Sequence, residues 1–280
     1  MELVAGITFD EALQKLGERS PVGSILNSAE WSRVPVALRE RAFFSASVES
    51  TRWLQSRLDF LNDNLANTTA LNDNGERYFV AGGRAQFIKD AQLDAVRSGL
   101  GPLDPNDAGS LKDIRSGTRL ALIFDTSIES AYGFGHWKQG QDPDALDAYP
   151  AQRLIRVRAV RKPRPYHQAA LKDGPRLKSD IAYWVSLNPD FGVPWPPYGW
   201  NSGCDVEGVR RAESDRLGLT KPNEVIKPVE KDFNDNLKAS TQGLSSRLLD
   251  FLRAAFGQQA TFEGDSVRWN SEDDDTPSEE

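Results

Sequence analysis

The chain is short of the residue types that most often carry chemistry. Among its 280 residues there are one methionine, one cysteine (Cys204) and two histidines (His136 and His167). A single thiol excludes an intramolecular disulfide and any zinc site built from several thiolates, and it fits a reducing cytoplasm. No run of about 18 apolar residues occurs, so a membrane-spanning helix is not expected. The N-terminal stretch MELVAGITFDEALQKLG has neither the basic start nor the apolar centre of a secretory signal, and the expectation is a soluble chain. A phosphate-cradling G-x-x-x-x-G-K-S/T loop is missing as well. The nearest candidate, VAGGRAQF at 80–87, lacks the lysine, so ATP-driven work is not expected.

What is present is ordinary globular chemistry, 39% hydrophobic and 27% charged, enough for one or two domains. The net charge of −7 is uneven. Six acids fall in residues 270–280, NSEDDDTPSEE, and account for six of those seven negative charges. That segment has nothing to bury and is expected to be a disordered, solubilising tail. Residues 151–180 carry nine Lys/Arg against two Asp, a local excess that attracts anions or is met by an acidic face nearby.

Apolar periodicity divides the chain. TFDEALQKLGER reads as a short amphipathic helix capped by Thr8 with Glu11 three residues on, and Ser28 offers a second cap before Pro35. From 36 to 65 apolar positions recur at steps of three and four, which predicts one helix of about 30 residues. A polar turn at 72–77 precedes a helix ending near Gly99 or Gly101. Ser110 with Asp113 caps SLKDIRS, and residues 118–140 read as a mostly apolar helix. After Pro150 the period changes to two: in RLIRVRAVR, Ile155, Val157 and Ala159 alternate with Arg156, Arg158 and Val160, predicting a strand with a largely cationic face. In RKPRPYHQAALKDG, prolines 163 and 165 and Gly174 predict a turn-rich corner. The proline-rich segment that follows holds Tyr183, Trp184, Trp195, Tyr198 and Trp200, more aromatics than a disordered linker needs. A last helix is expected at about 242–256.

These pieces, in order, resemble the phage Mu F-like minor head (head morphogenesis) family. Thr126 and Ala131 match a helix signature; Arg164, His167, Leu171 and Gly174 match an R-x-x-H-x-x-L-x-G corner with one extra residue on each side of Leu171. Trp184 falls in a tryptophan-bearing segment, and Pro196, Pro197, Asn201, Cys204 and Val206 match a proline-rich approach to an N-C-R-C motif. The ordered set spans roughly residues 110–210. Departures are clear: Phe124, Asp125, Thr126 and Ser127 stand where the family has Arg-Thr-Glu, and Ser202, Gly203 and Cys204 where it has Cys-Arg-Cys. A two-cysteine metal site or disulfide is therefore impossible here.

The expected fold is α+β: a helical region at 1–109, a small α+β Mu F-like domain with short strands and long ordered loops at 110–220, a helical extension at 221–262 and the acidic tail at 263–280. The resemblance implies a non-enzymatic minor capsid protein of a tailed phage or prophage, located in the capsid interior or at the portal vertex and in the host cytoplasm during assembly. Its implied partners are the portal and major capsid proteins, with no membrane and no cofactor. Expected structural-motif positions are Thr126, Arg164, His167, Gly174, Trp184, Pro197, Asn201 and Cys204. A metal set of His136, His167, Cys204 and Asp205 lacks local ligand spacing, and SGC is not a nucleophile elbow, so neither a metal nor a catalytic residue is assigned. His167 is expected to tie loop carbonyls at the corner. Arg153, Arg156, Arg158, Arg161, Lys162 and Arg164 are candidate contacts to packaged double-stranded DNA with Tyr166 as a stacking surface; the competing reading is neutralisation by acids such as Asp142, Asp144 and Asp147. Two further readings stay open, a phage-encoded enzyme or toxin (nuclease or ADP-ribosyltransferase-like) on this scaffold, and a DNA-binding adaptor outside the virion.

Overall fold

The computed structural model describes residues 10–67, 69–71, 77–79, 83–222, 224–229 and 238–270. In chain order the elements begin with α1 (Asp10–Gly17), β1 (Ser20–Pro21), α2 (Ser28–Trp31), α3 (Val36–Glu40) and β2 (Ala42–Phe43). Next come α4 (Thr51–Asn67), β3 (Thr69–Leu71), β4 (Arg77–Phe79), α5 (Gly83–Arg97), α6 (Gly117–Gln139) and α7 (Pro143–Ala148). The third quarter holds β5 (Ala151–Arg156), α8 (Pro165–Asp173), β6 (Arg176–Leu177), α9 (Ile181–Ser186), β7 (Cys204–Val209) and α10 (Arg211–Arg216). Last are β8 (Lys238–Ser240), α11 (Ser246–Phe256), β9 (Ala260–Glu263) and β10 (Ser266–Trp269). The fold is α+β.

Two compact units share the chain: Met1–Glu18 with Gln55–Glu230, and Arg19–Leu54 with Lys231–Glu280. The 109/110 boundary implied by the family resemblance falls inside the first unit, and each unit draws on two separate stretches of chain.

In the first unit α6 is the central helix. Ser116 caps it, its Oγ accepting from the Arg119 N–H at 3.1 Å, so the helix starts there and not at Ser110, where the chain makes turns. Against α6 pack α1 and α5, with Phe87 5.4 Å from Phe124 and 5.5 Å from Phe60. Two glycines set how closely neighbours approach: a Cβ on Gly135 would lie 3.5 Å from the Ala12 backbone of α1, and one on Gly133 only 2.0 Å from the Pro196 carbonyl oxygen. The sheet order is β6-β5-β7, antiparallel throughout, with Leu154 opposite Val206 and Arg156 opposite Cys204. One face of this sheet closes a core of Leu154, Ala170, Trp184, Leu187, Tyr198 and Cys204.

The second unit is built on Val22, Leu26, Val34, Leu38 and Ala42 packed with Leu248, Leu252 and Phe256 of α11, Ala260 and Val267. Its sheet runs β8-β10-β9, and β1 pairs in parallel with β2.

Several expectations are corrected. The 36–65 segment is not one helix: α3 ends at Glu40, β2 pairs with β1, and Ser47 takes a left-handed backbone (φ 57°) before Ser50 accepts the Trp53 N–H and α4 begins. Tertiary pairing overrides a spacing that α3 and α4 share by coincidence. The cap of α2 is Asn27, in a reciprocal box with Glu30, rather than Ser28. The turn-rich corner is the helix α8: Pro165 occupies its first turn, where a missing N–H costs nothing, and Gly174 follows its end. The basic strand stops at Arg156 and its apolar face is Leu154, while Val157 is 61% exposed. Strand β10 lies inside the stretch assigned to the disordered tail, because Val267 is buried between β8 and β9. The Thr8 cap, most of the 72–77 turn and residues 271–280 lie outside the described residues.

Candidate functional site

The site that the sequence singles out gathers α8, α9, β7 and the loop 187–203 around His167. Proline-started α8 points His167 inward, where it has no solvent exposure. Its Nε2 lies 2.8 Å from the Leu187 carbonyl oxygen. A carbonyl only accepts, so Nε2 carries the proton and Nδ1 is left as an acceptor. Facing Nδ1 at 3.7 Å is Cys204 Sγ, which places the thiol as a weak donor. Burial pushes the imidazole pKa below its ordinary value, and burial pushes the Cys204 thiol up against the opposing pull of Arg156 and Arg164. The pair is thus neutral imidazole and protonated thiol, the inverse of an activated thiolate.

The loop beyond is held by its own buried polar groups. Asn188, fully buried, donates its amide to the Val193 and Trp195 carbonyls, each at 3.1 Å, and the buried Tyr198 hydroxyl donates to Pro194 O at 2.9 Å. Burial raises the Tyr198 pKa well above the phenolic range. Trp184 is buried and donates from Nε1 to Leu177 O at 2.9 Å. The Pro196–Pro197 peptide is cis, and the Pro196 carbonyl meets α6 at Gly133. Asp190 ties the loop's far end: it accepts from Arg164 at 2.8 Å and from the Trp200 N–H at 3.1 Å. Gly199 turns there with φ 86°, where a Cβ would stand 2.4 Å from Asp190 Oδ2.

The motif positions divide accordingly. His167, Trp184 and Cys204 are brought together in this core, and Pro197 is buried in the adjoining loop; Arg164 and Asn201 brace its rim, Gly174 follows α8, and Thr126 lies half-buried on α6. His136 is exposed. Gly133, Asn188 and Asp190 carry much of the arrangement and were not singled out from sequence. The signal for Gly133 was available: two glycines inside a strong helix cost about 1 kcal/mol each unless packing requires them.

The cations are mostly engaged within the chain. Arg153 pairs with Glu213 at 2.7 Å and with Glu207 at 3.6 Å, and Arg156 donates to Ser202 O at 3.0 Å. Arg158 donates to Asn201 Oδ1, and Arg164 pairs with Asp190. The acids differ from those expected: Asp147 pairs with Arg211 at 2.9 Å, and Asp142 caps α7. Arg161 and Lys162 are exposed and have no ion-pair partner among the described residues. Within the described residues no helix is long and apolar enough to cross a membrane, and no group of three or more His, Cys, Asp or Glu is placed to hold a metal ion.

This chain is similar to a protein of phage head assembly. The relative is "Putative capsid assembly protein F" of Escherichia phage Mu, 31% identical over 113 residues, which is 40% of this chain and 23% of the Mu protein. The matched stretch therefore spans under a quarter of that relative's length. No protein-family model and no solved structure matches the chain.

Proposed function

We propose that the chain is a non-enzymatic minor capsid protein that acts in head assembly of a tailed phage or prophage. The similarity to the Mu capsid assembly protein carries this reading. The buried site supports it: a neutral His167 locked to a backbone carbonyl, beside a thiol held protonated, ties a loop in place and offers no nucleophile. In this reading the rigid loop and the helices present surfaces to the portal and major capsid proteins, in the capsid interior or at the portal vertex. Packaged DNA meets the basic segment. Arg153, Arg156, Arg158 and Arg164 all make hydrogen bonds inside the chain, so the exposed Arg161 and Lys162 are the cations left for phosphates, with Arg158 exposed beside them.

The test is genetic. A phage lacking this gene is expected to make few or aberrant heads by electron microscopy, with normal heads restored by the gene in trans. Normal, DNA-filled heads without it would overturn the proposal.

A further inference from the structure

Residues 157–164 form a strap fastened at both ends to the loop 199–203. At one end the Val157 and Arg158 N–H groups donate to Gly203 O, at 3.0 and 3.2 Å, and the Arg158 guanidinium donates to Asn201. At the other, Arg164 donates to Trp200 O at 3.0 Å and to Asp190. Between these anchors Arg161 and Lys162 are exposed, with no ion-pair partner among the described residues. Glu129 of α6 is close enough to share a field with Arg158, so Arg161 and Lys162 hold the larger share of uncompensated charge.

Two exposed aromatic rings lie at the strap's anchored end, Trp200 in the loop that Arg164 clamps and Tyr166 two residues beyond Arg164. Trp200 is 49% exposed, its backbone is clamped by Asp190 and Arg164, and an edge-to-face contact with Phe191 at 4.9 Å occupies at most one face of the indole. Tyr166 is 36% exposed, and its ring stands perpendicular to the buried His167 at 4.6 Å. Each ring keeps one packed contact and leaves a large part of its surface in solvent, the combination a stacking surface needs.

We infer that this surface binds single-stranded nucleic acid, with Trp200 and Tyr166 stacking on unpaired bases while Arg158, Arg161 and Lys162 meet the phosphates. The inference rests on the proposed DNA contact and narrows it. A duplex supplies phosphates but keeps its base faces inside its own stack, whereas every unpaired base offers a face to an aromatic ring. In packaged DNA such faces occur at ends and at unpaired stretches. An acidic protein suits the patch less well, because aromatic anchors of protein interfaces sit at an apolar centre. Here the rings border cations, and Val157 is the strap's large exposed aliphatic side chain.

The experiment is fluorescence anisotropy on the full chain, using one labelled oligodeoxynucleotide alone and annealed to its complement, at equal low salt. The single strand should bind at least about tenfold more tightly, roughly the contribution of one stacked base. Trp200→Ala should erase that preference and Trp200→Phe keep it. Arg161→Glu with Lys162→Glu should weaken both forms, and circular dichroism melts confirm that each variant is folded. Duplex bound as tightly as single strand overturns the inference while leaving the DNA contact standing. No binding of either form overturns both. Displacement of the oligonucleotide by polyglutamate at equal charge concentration overturns the inference in favour of an acidic protein partner.

Discussion

His167 shows how one buried side chain sets both local structure and a pH response. Its Nε2–H satisfies the Leu187 carbonyl, and its Nδ1 faces the only thiol in the chain. The folded pKa lies below the ordinary 6.5 because burial disfavours the cation. Above pH 6.5 both states are neutral and the contribution is fully present. As pH falls below 6.5 the unfolded chain takes up a proton first, so stability drops through that window until the depressed folded pKa is passed. Cys204 works in the opposite direction: its raised pKa preserves stability below the ordinary 9.0, and stability is lost as pH rises through the folded value. His167→Ala should cost about 3 kcal/mol at neutral pH, from the lost side chain and an unpaired carbonyl. His167→Gln should flatten the acid limb of a urea-melt profile; an acid limb unchanged in that variant would show that another group controls it. The histidine was visible in the sequence by its rarity. Its tautomer and its partner 20 residues on were not, since they depend on how α8 and α9 are packed.

At the scale of elements, α6 decides how the third quarter of the chain is seated. Gly→Ala in a helix interior ordinarily gains about 1 kcal/mol. Gly133→Ala should instead destabilise by at least about 1–3 kcal/mol, because its Cβ would collide with the Pro196 backbone, and backbone yields less readily than a flexible side chain. Gly135→Ala, whose nearest neighbour is 3.5 Å away, should match wild type or exceed it. Thermal melts of the two variants check this, and equal melting would contradict the packing described. Local patterns made α5, α6 and α11 legible, because each repeats apolar residues over three or more turns. They failed between Glu40 and Thr51, where the leucines before and after fall on a helical period and β1–β2 pairing breaks the helix. They failed again at α8, where two prolines suggest a turn although Pro165 suits a first helical position.

For the whole molecule, α+β class followed from element order, but the composition of the compact units did not. The leucines of α11 announce a buried face, yet the residues that cover it lie at 22–42, more than 200 positions earlier. No local signal reports such a pairing. The functional account rests on part of the chain: a relative in phage head assembly that matches 113 residues, a loop region held rigid by Asn188, Tyr198 and Asp190, and a cationic strap beside it. The central claim is that the chain is built into the phage head. Mass spectrometry of purified phage particles carrying this gene tests it most directly. The account predicts peptides of the chain at minor, reproducible stoichiometry in intact heads; their absence from heads, with the chain abundant in the infected-cell lysate, would contradict it.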